Sequence, residues 1–491
     1  MPYRIESIEV FVRETPPGRM DFVLGKQKPT GGPSPAVKPS TGKRRPRGIL
    51  VCRMIISDAQ GRIAWGASGD RPSFGWLDKR PKYDSAAKLD RLLRLVEAAR
   101  RVYLSNPKFT TPFELWHRCL TEVQRLGREM DHEALSASYA SALFERAMID
   151  AVCRLHELPL FEMLRQEKLG LDPARVFPEL KGIRFLKIMP RRPRTHFFIR
   201  HTIGLGDPIL AADQPKEKRV NDGEPETLEE YIRQDGLRYF KVKVSGDAKA
   251  DLDRLEHIWS AVVRTEQPIV TLDGNESAKD IDAFAKFVEQ FENRIPGMFQ
   301  HTAFIEQPLT RSVTHDPGTA KTIRRISEKK QLIIDEADGE TNSFHHAFPI
   351  GYSGTSHKNC KGFFKSLVNF CLCHHLMDKT GRNAFQSGED LSLMSLVPLH
   401  QDFAALGVLN ISHCERNGHH YSYGQGHLTE REKILAGEHH PEIYTKRRGE
   451  LFLNIRNGEL FCDSLQCAGF GVRFEPEWAA MRPLGRWKPV W

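Results

Sequence analysis

Phe240-Lys241-Val242-Lys243-Val244 sets two lysines at i and i+2 in an apolar run, hence on one face of a strand. Three later apolar runs end in carboxylates, at Asp273, Glu306 and Asp335, and another lysine, Lys358, follows Thr355-Ser356-His357. From 243 to 273, 306, 335 and 358 the intervals are 30, 33, 29 and 23 residues. A parallel βα barrel devotes about 31 residues to each unit and keeps its catalytic groups at the carboxyl ends of its strands. The spacing therefore predicts five charged groups at equivalent heights on successive strands.

Three clustered carboxylates repel one another and need a cation, and an all-oxygen set with open positions favours Mg²⁺ over zinc. A proton next to a carboxylate is very weakly acidic, because its loss doubles the negative charge. A divalent cation on those oxygens stabilises the resulting enediolate. The base must be a neutral amine, so a lysine pKa of about 10.4 must fall under nearby positive charge and desolvation. These conditions assign Lys243 as acid or base on one face of the substrate, Lys241 as its electrostatic partner, and Lys358 as acid or base on the other face.

The elements that would position these groups are legible as alternating patterns. Strands are predicted at Tyr3–Val12, with Ile5, Ile8, Val10 and Val12 inward, and at Ile49–Ser57 and Arg62–Gly66. Helical patterns follow near Ala86–Tyr103, Thr111–Arg128 and His132–His156, the last with a stripe of Leu143, Ala147, Ile149 and Val152. Eight further strands are expected at Phe197–Ile203, Tyr239–Val244, Pro268–Leu272, Thr302–Ile305, Gln331–Ile334, Gly354–His357, Asn383–Gln386 and Leu409–Ser412, with helices between them. The predicted fold is α/β: a modified (β/α)8 TIM barrel over 161–440, an α+β capping domain over 1–160, and a tail, 441–491, whose strand-like runs Leu451–Ile455 and Glu459–Cys462 return to the cap. A doubly wound open sheet is the alternative, but its glycine-rich first turn is missing.

The 491 residues carry 72 basic and 63 acidic side chains, a net +9, and 40% are hydrophobic. This excludes a wholly disordered chain. No apolar run approaches the roughly 18 residues of a membrane span, and no signal core follows the N-terminus. Nine scattered cysteines suit a reduced, cytoplasmic protein. Seven of the positive charges fall in a proline-rich, acid-free segment within 22–48, which reads as a flexible basic loop after the first strand. The loop is either a solvated insertion or a flap over an anionic ligand. It lacks the interleaved aromatics of a nucleic-acid surface, so neither nucleic acid nor membrane is an expected partner. The His doublets and Cys371-Leu372-Cys373 lack zinc-ligand spacing.

The motifs KVKV at 241–244, DGN at 273–275, EQP at 306–308, DEAD at 335–338 and SHKNCKG at 356–362 resemble the enolase superfamily, in its muconate-lactonising/mandelate-racemase-like branch. The closing Gly469-Phe470-Gly471-Val472 extends the resemblance over nearly the whole chain. It implies metal ligation by Asp273, Glu306 and Asp335, support from Asn275 and Glu336, and a loop after the first strand that closes over a small-molecule carboxylate. The expected protein is a homo-oligomeric, Mg²⁺-dependent racemase or epimerase. β-Elimination and cycloisomerisation by the same intermediate are the alternatives, and a non-catalytic barrel binding a polyanion through the basic loop is the rival from another class.

The sequence departs from that pattern in places. Ala337 replaces the usual serine, and Lys361 competes with Lys358. The seventh strand ends without the histidine of sugar-acid dehydratases. There Glu389 and Asp390 either contact a cationic part of a substrate or cap the next helix, with capping preferred. His413, Cys414 and Glu415 are specificity candidates at the end of the eighth strand.

Overall fold

The computed structural model describes residues 2–16, 47–278, 280–389, 394–416 and 423–489. The basic segment 22–48, apart from Arg47 and Gly48, lies outside them, as does Asp390.

The cap begins with strands β1 (Tyr3–Arg13), β2 (Ile49–Asp58) and β3 (Ile63–Asp70), paired antiparallel in that order. The inward residues of β1 change parity between Ile5 and Ile8, and a register shift between Ile5 and Ser7 absorbs the change. An extra residue in one strand turns the next side chain back to the core, so both halves of β1 bury their aliphatics. Four helices follow: α1 (Phe74–Leu77), α2 (Ser85–Leu104), α3 (Pro112–Glu129) and α4 (Ala134–Leu155). The Asp84 carboxylate accepts from Ala87 N at 2.8 Å to start α2, and Thr111 with Pro112 starts α3.

Helix α4 differs from its sequence pattern. The expected stripe is buried, but so are the other faces, including Glu145, Arg146 and Asp150. The cause is its place between the cap sheet and the barrel. Asp150 accepts there from Ala67 N (2.8 Å) and Phe470 N (2.6 Å), and Arg146 donates to Gly69 O (3.1 Å). The strand β3 lies so close that a Cβ on Gly66 would stand 2.1 Å from Ala147 O and 2.4 Å from Ala151 N. Gly66→Ala is therefore expected to cost at least about 1–3 kcal/mol, read from the denaturant midpoint.

Eight parallel strands form the near-closed barrel: His196–Ile203, Tyr239–Lys243, Ile269–Asp273, Thr302–Glu306, Gln331–Ile334, Gly354–His357, Phe385–Gly388 and His413–Arg416, called strands 1 to 8 here. Strand 8 pairs with strand 1, placing His413 opposite Phe198. Two sequence expectations need correction. Strand 7 starts at Phe385 rather than Asn383. Strand 8 starts at His413, whereas Leu409-Asn410 ends the helix Val397–Val408. Asn410 has φ +53°, the left-handed conformation that stops a helix, so its apolar neighbours belong to a turn and not to a strand.

The tail divides its pairing. Glu450–Leu453 pairs with Tyr444–Arg447, and Glu459–Phe461 joins strand 1 of the barrel instead of returning to the cap. The cap receives Arg482–Pro483, which pairs with β1, and Phe470, which is bound by Asp150. All nine cysteines are free. Among the described residues, no helix is long and apolar enough to cross a membrane.

Cap and barrel also meet through Glu145, whose carboxylate accepts from Phe364 N at 2.6 Å at the start of the helix after strand 6. Burial outweighs that bond and pushes the carboxyl up from 4.5 to about 8. Between those values the folded chain holds a proton that the unfolded chain has released, so Glu145 makes stability fall as pH rises through that window. Glu145→Gln is expected to flatten this part of the profile, measured as denaturant midpoints of both proteins across it.

Candidate active site

Strand periodicity sends alternate side chains into the barrel, and the inward series is polar on nearly every strand. Strand 1 contributes Arg200 and Thr202, strand 2 Lys241 and Lys243, strand 3 Thr271 and Asp273, and strand 4 Glu306. Strand 7 and the residue after it give Ser387 and Glu389; strand 8 gives Glu415. Lys243, Asp273 and Glu306 are in register across strands 2 to 4. Glu306 stands opposite Ile333, so Asp335 lies two residues further on, just past the end of strand 5. Equal height thus holds across three strands and not across all five groups.

Lys241 Nζ stands among four carboxylates: Glu306 Oε2 at 2.5 Å, Glu389 Oε2 at 2.6 Å, Glu415 Oε2 at 2.9 Å and Asp273 Oδ2 at 3.0 Å. Burial alone would lower its pKa, but these four anions hold the ammonium well above its usual value. Lys243 Nζ reaches Asp273 Oδ2 at 2.5 Å. Across the site, Lys358 Nζ reaches Asp335 Oδ2 at 2.7 Å and lies 4.2 Å from the centre of the Trp76 ring. Lys361 bonds Ser356 Oγ (2.6 Å) and Asp338 Oδ2 (3.0 Å) and reaches the other oxygen of Asp335, Oδ1, at 3.4 Å. Burial opposes ionisation of Asp273 and Asp335, yet their lysines hold both below the usual carboxylate range. Glu306 goes the other way. Burial, then repulsion from Asp273, Glu389 and Asp335, pushes it well above that range.

Among the described residues, no three His, Cys, Asp or Glu side chains gather within reach of one metal ion. Lysine ammonium groups hold Asp273, Glu306 and Asp335 instead. The donor chemistry nevertheless suits a hard divalent cation. All three candidate ligands are fully buried carboxylates, and neither oxygen of Glu306 accepts a hydrogen bond. Its one ammonium, Lys241, is shared with three other carboxylates, so Glu306 is short of positive charge.

Asn275 and Glu336 are brought together: Asn275 Nδ2 donates to Glu336 Oε1 at 3.1 Å, and Asn275 N donates to Asp273 Oδ1 at 2.8 Å. Lys79 from the cap donates to the same Glu336 oxygen at 2.7 Å and pairs with Glu276 at 2.9 Å. Glu389 corrects the capping expectation. Among the described residues it caps no helix; Arg200 grips it at 2.5 Å and Ser387 Oγ donates to it, because its strand delivers it inside the barrel. His413 opens strand 8 instead of ending it. Its ring packs tilted against Tyr239, with centroids 4.8 Å apart, and burial pushes its pKa down to about 3.

Arg200, Thr202, Gln307, Trp76 and Lys79 went unassigned by sequence reasoning. Arg200 had a signal, a charge inside the apolar run Phe197–Ile203. Gln307, which accepts Asp335 N (2.7 Å) and Ala337 N (3.1 Å), was visible only as part of a motif. Trp76 and Lys79 arrive from the cap, a juxtaposition that spacing along the chain does not reveal.

No protein-family model matches the sequence, and no curated protein matches it. Solved structures match over nearly their whole length. A 2-chloromuconate cycloisomerase from Rhodococcus opacus is 15% identical with a TM-score of 0.54, covering 97% of this chain and 98% of its own. A mandelate racemase/muconate lactonizing protein from Herpetosiphon aurantiacus is 17% identical with a TM-score of 0.55, covering 97% and 99%. A racemase from Streptomyces coelicolor, solved with bound magnesium, is 13% identical with a TM-score of 0.53, covering 99% and 100%. The chain therefore shares the fold of these structures, a modified TIM barrel with a capping domain. At this identity the likeness is one of architecture, and chemistry must be argued from the residues.

Proposed function

We propose that this chain is a Mg²⁺-dependent racemase or epimerase of the muconate-lactonising/mandelate-racemase-like branch, acting on a small-molecule carboxylate by removal of its α-proton. Asp273, Glu306 and Asp335 would hold the cation, which when bound makes the α-proton acidic by drawing charge onto the substrate carboxylate. Lys243 and Lys358 move the proton at the α-carbon, one on each face. Asn275 and Lys79 steady Glu336 beside the cation ligands. An intracellular setting agrees with nine free cysteines.

The observation that carries this reading is the charge count inside the barrel. Six cations (Arg200, Lys241, Lys243, Lys358, Lys361, Lys365) meet six carboxylates (Asp273, Glu306, Asp335, Asp338, Glu389, Glu415) in buried ion pairs. Proton transfer needs one of Lys243 and Lys358 neutral and the other charged, which leaves these carboxylates one charge in excess. A divalent cation on Asp273, Glu306 and Asp335 would answer that excess together with the substrate carboxylate, and would stabilise the second negative charge of the enediolate.

The test is ¹H/²H exchange at the α-carbon over a panel of α-substituted carboxylates with Mg²⁺ and with chelator. Solvent label entering both configurations, only with Mg²⁺, supports the proposal. An unsaturated or cyclised product in place of exchange replaces the racemase by a lyase or cycloisomerase.

A further inference from the structure

The contacts of Lys241 are not equivalent. Its Nζ makes aligned hydrogen bonds to Glu389 Oε2 and Glu415 Oε2, whereas its ion-pair contacts with Glu306 Oε2 (2.5 Å) and Asp273 Oδ2 (3.0 Å) lack hydrogen-bond geometry. Its two hydrogen-bonding partners are themselves anchored on the far side. Glu389 is held by Arg200, whose guanidinium also donates to Thr271 Oγ1 (2.9 Å) and Gly388 O (2.8 Å), and Glu415 Oε1 accepts from Thr202 Oγ1 at 2.5 Å. Arg200 and Thr202 are i and i+2 on strand 1 and share one face. The result is a rigid two-carboxylate seat for an ammonium group, built beside the two carboxylates assigned to the cation.

We propose that Glu389 and Glu415 are positioning residues forming an internal seat for Lys241, which gives its ammonium two partners that remain when a divalent cation takes Asp273 and Glu306, and so sets the affinity of those carboxylates for the cation. The inference rests on the Mg²⁺ reading and adds residues to it. An ammonium has three donors and one charge, so it satisfies whichever carboxylates are fixed to receive it. With the seat intact, Lys241 can release Asp273 and Glu306 to a cation and keep two fixed anions of its own. Without the seat, Asp273 and Glu306 are the partners left to it, and the ammonium competes for them.

Direct attraction between Glu389 and the cation would also weaken binding on Glu389→Gln, so a double-mutant cycle is needed. Mn²⁺ affinity, measured by calorimetry and by the loss of the free-ion paramagnetic resonance signal, is compared in wild type, Lys241→Met, Glu389→Gln and the double variant. Glu389→Gln is expected to weaken Mn²⁺ about tenfold when Lys241 is present and by less than about threefold when it is methionine. Equal losses in both backgrounds would overturn the seat while leaving the metal reading standing. No Mn²⁺ binding by wild type or Lys241→Met would overturn the metal reading and the seat with it. Should Glu389→Gln fail to fold, the same cycle with Glu415→Gln, tied to strand 1 through Thr202 rather than Arg200, gives the same two outcomes.

Discussion

Lys243→Ala is expected to lower α-proton exchange by roughly 10²–10⁴-fold, the usual contribution of a positioned acid or base. The loss should be unequal between the two configurations of the substrate. Lys243 is paired with Asp273 on strand 3 and Lys358 with Asp335 after strand 5, with Glu306 on the strand between. A base on one face removes the proton of one configuration only. Lys243→Ala should therefore retain wash-out of label from one enantiomer, and Lys358→Ala from the other, when each is followed by NMR in ²H₂O. Loss of both from either variant would mean that one lysine steadies the anion and does not move the proton. Folding should survive Lys243→Ala, because Asp273 keeps Lys241 at 3.0 Å.

Arg200→Met is expected to carry the largest stability cost in the barrel. Its side chain is fully buried, and it answers Glu389, the Thr271 hydroxyl and the Gly388 carbonyl together. Burial lowers an arginine pKa, but Glu389 first among its neighbours more than reverses this. Removing one member of a buried pair leaves a charge uncompensated and costs about 3–5 kcal/mol. Adding Glu389→Gln to Arg200→Met should recover part of that loss, since the stranded charge goes with it. Denaturant unfolding of the two single variants and the double variant reads the coupling directly. Additive losses would show that Arg200 acts by filling space and not by pairing.

Much of this site was legible in the sequence because strands and barrels are periodic. A two-residue repeat places Lys241 with Lys243, and a repeat of about 31 residues places Asp273 and Glu306 on successive strands. Both placements hold, with Lys243, Asp273 and Glu306 in register. Reasoning failed where a residue's fate depends on what lies across the barrel or above it. Glu389 read as a helix cap because its neighbours in sequence offer nothing else, yet its partner Lys241 is 148 residues away. His413 read as the end of a strand because Leu409–Ser412 alternates apolar and polar residues, and the left-handed turn at Asn410 shifted the strand beyond it.

By itself the amino-acid order determined which groups exist, their order around the barrel and the face each one shares, for these follow from backbone geometry repeated along one chain. Only the tertiary structure decided that Lys241 is claimed by four carboxylates, that Arg200 stands behind one of them, and that Trp76 and Lys79 of the cap reach the second lysine and Glu336. Ion pairing in a buried space is settled by three-dimensional distance and by burial, and neither is a local property of the chain.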